Sequence, residues 1–120
     1  MKLNHINLVV TNVAQAILFF ETYFGFATIN VKGENLIAVL HGTDGFELVL
    51  MSSSMNKQEG FDYPENFHIG FKQNTKEAVD DIYEKLKNNG ISSGRKPGKI
   101  RGSYGFYFYF DKIMIEVGTD

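Results

Sequence analysis

The hydrophobic and polar positions of this chain run through the same succession of patterns twice. In the first pass, His5–Val10 mostly alternates between apolar and polar residues, which is typical of a half-buried strand. Asn12 and Gln15 then form a capping box at the start of a helix, and Gly25 is placed to end it. The apolar face of this helix comprises Val13, Ala16, Ile17, Phe20, Tyr23 and Phe24.

Three short strands follow this helix, at residues 27–31, 36–40 and 46–51. The segment 41–45 is rich in turn-forming residues, so the last two strands are expected to form a hairpin and His41 falls in the turn, with no role assigned. Residues 52–66 are polar and contain Gly60 and Pro64, which indicates a linker.

After the linker the patterns begin again with a strand at residues 68–71. Asn74 and Glu77 form a second capping box, and Gly90 ends a second helix whose apolar face comprises Val79, Ile82, Tyr83 and Leu86. A weak strand and a closing hairpin at 104–110 and 113–117 complete the pass. We therefore predict an α+β fold in a single domain, 1–120, with βαβββ modules at about 1–51 and 67–120. The two modules should form a curved mixed sheet around a cleft, with the helices on the outer face.

Four polar residues occupy corresponding elements of the two modules. His5 and His68 open the first strands, and Glu47 and Glu116 lie in the last strands. Strand alternation places each of them opposite an apolar face that a helix must cover, which directs all four towards the cleft. A lone histidine at a strand start is more often a hydrogen-bonded residue, and a lone strand glutamate usually faces solvent. The joint arrangement favours a metal site.

Imidazole and carboxylate ligands together suit a first-row divalent ion, here Ni, Zn, Co, Mn or Fe. Because the chain contains no cysteine, thiolate ligands and disulfides are excluded. A net charge of −2 offers no basic surface for nucleic acid. The amino-terminal residues lack a signal-peptide core, and no apolar run approaches the length of a membrane span, so the expected location is cytoplasmic.

The segments His5–Val10, residues 23–26, and 108–110 with 115–117 resemble the vicinal oxygen chelate superfamily. This superfamily includes glyoxalase I, fosfomycin-resistance thiol transferases, extradiol dioxygenases, epimerases and bleomycin-resistance proteins. The resemblance spans nearly the whole chain and implies fold more specifically than reaction. It places His5, Glu47, His68 and Glu116 where bacterial glyoxalase I proteins have four metal ligands. It therefore implies a metal-dependent lyase or isomerase in which Glu116 or Glu47 is the catalytic base.

Two alternatives stay open at this point. One is a metal-free binding protein of the bleomycin-resistance type, which sequesters a hydrophobic small molecule. The other is a thiol transferase or dioxygenase with ligands at His5, His68 and Glu116. The early basic residues that glyoxalase I uses for glutathione are missing, and the turn at residues 111–112 is shorter than in many relatives. The resemblance also implies a homodimer.

Three further residues are candidates for contact with a small-molecule substrate. If Asp111 and Lys112 form a two-residue hairpin turn, Tyr107 lies across from Glu116 and Tyr109 lies across from Met114. Arg101 belongs to a basic segment, from Lys85 to Phe110, for which two interpretations stay open: it steers an anionic substrate, or it is a solvated mobile loop.

Overall fold

The computed structural model describes residues 1–58, 60–91 and 95–120. The chain divides into two compact units, Met1–Phe61 and Asp62–Asp120. The first contains β1 (His5–Val10), α1 (Val13–Phe24), β2 (Ala27–Lys32), β3 (Ile37–His41), β4 (Glu47–Ser52) and a 3-10 turn (Ser53–Met55). The second contains β5 (His68–Lys72), α2 (Lys76–Asn88), β6 (Gly98–Ile100), β7 (Ser103–Phe110) and β8 (Ile113–Gly118). The predicted βαβββ order of each module is confirmed.

Each unit forms one four-stranded mixed sheet with the same topology. The strand orders are β1-β4-β3-β2 and β5-β8-β7-β6. The first and last strands of each unit pair in parallel, and the other neighbours are antiparallel. Parallel partners need a long crossover, which the helix and the intervening strands supply. The two last strands, which carry Glu47 and Glu116, consequently lie in the interior of their sheets.

The alternation of each strand decides which face its helix covers. In the first unit, Leu8, Val10 and Leu50 are fully buried, on the same side as the buried face of α1. Asn12 caps α1 by accepting a hydrogen bond from the Gln15 amide, at 3.0 Å, and Gly25 ends it with φ at 70°. The predicted N-cap and terminator of α1 are therefore confirmed.

The second helix begins one residue later than its capping box predicted. Thr75, and not Asn74, is the N-cap, because its Oγ1 accepts a hydrogen bond from the Ala78 amide at 3.1 Å. The buried residues of α2 are Val79, Tyr83 and Leu86, and the ring of Tyr83 packs edge-to-face on Phe106 at 5.3 Å. The predicted apolar face is confirmed at these three positions.

Two connections differ from or complete the predicted arrangement. His41 is the last residue of β3 and pairs with Glu47, so its expected place in a turn was wrong. The weak strand after α2 is the short β6, which pairs with β7. Residues 92–94 of the basic segment and residue 59 of the predicted linker lie outside the described residues. Across the described ranges, no helix has the length and apolarity needed to span a bilayer.

The β7–β8 hairpin has the register that the sequence predicted. Asp111 and Lys112 have positive φ values of 45° and 69°, as a two-residue type I′ turn requires. Tyr107 therefore pairs with Glu116, and Tyr109 pairs with Met114.

Candidate functional site

In the first unit, two of the predicted ligands lie next to each other on paired strands. His5 on β1 is the direct partner of Glu47 on β4. Glu47 alternates with Leu48, which is buried on the helix side of the sheet, so its carboxylate lies on the face away from α1. This confirms the predicted orientation of Glu47 within its own unit.

Sequence reasoning missed a third residue in this row. His41 on β3 is also a direct partner of Glu47, and its Nε2 lies 3.3 Å from Glu47 Oε2. Both side chains are partly exposed, at 42% and 38%. The signal in the sequence was the equal distance of His41 and Glu47 from the middle of the turn at residues 42–46, which makes them cross-strand partners.

In the second unit, the side chains of His68 and Glu116 lie further apart than those of His41 and Glu47. His68 Nε2 lies 3.9 Å from Glu116 Oε1, and the Glu116 side chain is 19% exposed. The ring of Tyr107 stands edge-on to the imidazole of His68, with 5.8 Å between their centroids. Three of the predicted site residues are thus brought together within one unit.

Tyr107 is the cross-strand partner of Glu116. The hydrogen bond from its hydroxyl to Glu116 raises the Tyr107 pKa, and burial and the Glu116 charge act in the same direction. The nearby guanidinium of Arg101 opposes the increase by its charge and by a hydrogen bond. Arg101, Tyr107 and Glu116 therefore form one contiguous polar group, whereas Tyr109 is 65% exposed.

The two histidine–glutamate pairs do not occupy matching points of the repeat, which corrects one premise of the sequence argument. His5 pairs directly with Glu47, but the partner of His68 is Met114. Glu116 lies two residues further along β8, where it pairs with Gly70. Since alternate residues share a face, Glu116 still faces the same side as His68.

The hydrogen bonds of both histidines leave the same ring nitrogen available. His68 Nδ1 lies 2.9 Å from the carbonyl oxygen of Asn66, and His5 Nδ1 lies 2.7 Å from Oδ1 of Asn4. Each Nδ1 can donate its proton to the neighbouring oxygen, and the tautomer that does so has its lone pair on Nε2. Histidines that bind metals are held in this way, with the second nitrogen donating to an oxygen.

The donor chemistry of the second unit fits a divalent ion. At 3.9 Å, the His68–Glu116 separation is too long for a hydrogen bond. Nitrogen and oxygen ligands of one Zn²⁺-like ion are separated by roughly 3.0–3.4 Å, so a shift of roughly half an ångström would bring the two atoms to ligand distance. Among the described residues, the structure shows no group of three or more histidine, cysteine, aspartate or glutamate side chains that could hold a metal ion. The predicted four-ligand set draws two residues from each unit.

The comparisons with known proteins agree on one superfamily. A sequence model of the Glyoxalase/Bleomycin resistance protein/Dioxygenase superfamily matches residues 2–117. The fold is similar to a possible glyoxalase from Bacillus cereus, with 35% identity over 98% of this chain and 97% of that one, at a TM-score of 0.81. No curated protein matches the sequence.

Two further solved structures share the fold at lower identity. A fosfomycin resistance protein from Listeria monocytogenes is 21% identical over 99% of this chain and 90% of its own, with a TM-score of 0.79. A lactoylglutathione lyase from Agrobacterium tumefaciens is 17% identical over 98% and 92%, with a TM-score of 0.76.

Proposed function

Because this chain belongs to the glyoxalase/bleomycin resistance protein/dioxygenase superfamily, we propose that it is a metal-dependent enzyme of the glyoxalase I type, acting on a small molecule. His5, Glu47, His68 and Glu116 hold one divalent ion of Ni, Zn, Co, Mn or Fe. The observation that carries the proposal is the arrangement of His68, whose Nδ1 is engaged by Asn66 while its Nε2 faces the Glu116 carboxylate.

When bound, the ion polarises oxygen atoms of the substrate as a Lewis acid. The protein's own part is the movement of a proton. A carboxylate, Glu116 or Glu47, removes a proton from one carbon and returns it to the neighbouring carbon as a general base and acid. This is the chemistry of a lyase or isomerase, and it consumes no oxidant or reductant.

The polar group around Glu116 also contributes to substrate binding. The Tyr107 hydroxyl donates to Glu116 and so restricts the carboxylate. Arg101 adds positive charge beside Tyr107, which favours a substrate with an anionic group. Tyr109, which is largely exposed, forms an outer wall that contacts the substrate by its ring. The 35% identity to a possible glyoxalase from Bacillus cereus supports this type of reaction.

Glutamine variants of the two carboxylates test the proposal, since they keep the shape of the side chain and remove its charge. Glu47→Gln and Glu116→Gln should each weaken divalent-metal affinity and abolish isomerisation of a hemithioacetal. Tyr109→Phe is the matched control, because its side chain is exposed and outside the ligand set, and it should bind metal as the unaltered protein does. Unchanged metal affinity in either glutamine variant would refute the four-ligand site.

One observation favours a second candidate, in which the ligands are His5, His68 and Glu116 alone, as in thiol transferases and dioxygenases. Glu47 is already engaged by His41, and its register relative to its histidine differs from that of Glu116. In that case Glu47→Gln would retain metal while Glu116→Gln would lose it. A protein that binds no divalent ion at all would instead be a binding protein of the bleomycin-resistance type.

We also propose that the protein is a homodimer. In each unit the outer strands, β1 and β2 or β5 and β6, are edges of a four-stranded sheet. Sheet edges are commonly covered by another chain or element, and proteins of this superfamily commonly form dimers. Sedimentation equilibrium should give twice the chain mass, and a monomer at micromolar concentration would contradict this assignment.

A further inference from the structure

We propose that His41 is a positioning residue that holds the Glu47 carboxylate in one orientation and leaves a single oxygen free to act. The inference rests on the proposed function, in which Glu47 is a metal ligand or base. No role was predicted for His41 from the sequence. The position of His41 in the first unit, beside Glu47, supports the role.

The backbone brings the two side chains close together. The Gly42 amide donates to the Phe46 carbonyl at 2.9 Å, so Gly42 and Phe46 form a hydrogen-bonded pair of the hairpin. The next pair along, His41 and Glu47, is then a non-hydrogen-bonded pair, the kind in which opposing side chains are closest. The Glu47 amide points the other way and donates to the Asn4 carbonyl at 2.9 Å. The Glu47 backbone is therefore fixed between two strands.

These backbone contacts do not fix the orientation of the Glu47 carboxylate. The terminal torsion of a glutamate is broad, and the Glu47 side chain is 38% exposed. His41 Nε2 lies 3.3 Å from Oε2 and can donate its proton to that oxygen. The lone pairs of Oε1 are then directed away from His41, as a single-oxygen ligand or a base requires. Partners of this kind orient metal ligands in other proteins.

In the second unit, a different side chain is in the position to orient Glu116. Tyr107, on β7, is the direct partner of Glu116, and hydrogen bonding to Glu116 is the main cause of its raised pKa. His41 stands in the same relation to Glu47. Each candidate carboxylate is thus held by a donor from the preceding strand of its own hairpin, although the two registers differ.

Metal affinity, measured by competition with a chromophoric chelator, tests the inference without reference to activity. His41→Leu removes the donor and keeps a side chain of similar size, whereas His41→Gln keeps an N–H donor. We expect His41→Leu to raise the dissociation constant about 10- to 100-fold and His41→Gln to restore most of the affinity. Thermal unfolding of both variants checks that they are folded, and the exposure of His41 predicts that they are.

The outcomes separate the inference from the proposed function. Tight binding that His41→Leu leaves unchanged would overturn the inference alone. Equal and complete loss in His41→Leu and His41→Gln would also overturn it, since His41 would then be a ligand itself. Failure of the unaltered protein to bind any divalent ion would overturn the proposed function, and the inference with it.

Discussion

Replacing Gly105 with alanine tests how closely β7 must approach β8. A Cβ on Gly105 would lie 2.3 Å from the Val117 carbonyl oxygen and 2.8 Å from the Gly118 Cα. Ordinary contact begins at 3.4 Å, so the methyl group falls about 1.1 Å short of it (3.4 − 2.3). The obstructing atoms belong to the backbone, which means that the two strands must separate. Overpacking costs about 1–3 kcal/mol, and we expect the upper end of that range.

Urea unfolding measures this cost directly. With a slope of about 1.5 kcal/mol per molar, a loss of about 3 kcal/mol lowers the midpoint by about 2 M. Gly70→Ala is the matched control, because a Cβ at this position of β5 meets nothing within 4 Å. It should leave the midpoint unchanged or raise the stability by about 0.5 kcal/mol. Equal midpoints for the two alanine variants would refute the reasoning about the β7–β8 approach.

Three further predictions concern the second unit. Thr75→Ala removes the cap of α2 and should cost about 1 kcal/mol of unfolding free energy in urea, whereas a loss near zero would contradict the cap. Because Glu116 raises the pKa of Tyr107, the folded state holds that proton more tightly than the unfolded state. The associated stability is present below the ordinary tyrosine pKa of 10.0 and is lost as the pH rises through the folded value. The unfolding free energy of Tyr107→Phe should therefore fall less than that of the unaltered protein as the pH rises above 10.0. Gly70 is the strand partner of Glu116, so Gly70→Val places a side chain beside that carboxylate. The variant should slow isomerisation of the hemithioacetal and keep its metal affinity. Unimpaired turnover would show that the substrate does not contact this position.

The local pattern of the sequence was sufficient to predict most elements and one register. The turn at Asp111 and Lys112 leaves two residues between β7 and β8, and a hairpin loop of that length fixes every pair beyond it. The pairing of Tyr107 with Glu116 followed directly. Strand alternation likewise predicted which face each glutamate occupies, because the period of a strand is two residues.

Other features depend on contacts that a local pattern does not determine. Asn74 and Thr75 are both good caps, and the choice between them depends on where α2 packs. His41 lies beside four turn-forming residues, which favour a turn at this position, although the strand extends to include it. The offset between His68 and Glu116 arises from parallel pairing of β5 with β8, which the crossover does not specify from sequence.

The most direct test of the metal-site proposal is a titration of chelator-treated protein with divalent ions, alongside His5→Ala and His68→Ala. These two histidines belong to different units, so each variant removes a ligand from one side of the predicted set. We expect about one equivalent of metal per chain in the unaltered protein and a large loss of affinity in both variants. An absence of binding in the unaltered protein, or full retention in either variant, would contradict a single site built from both units.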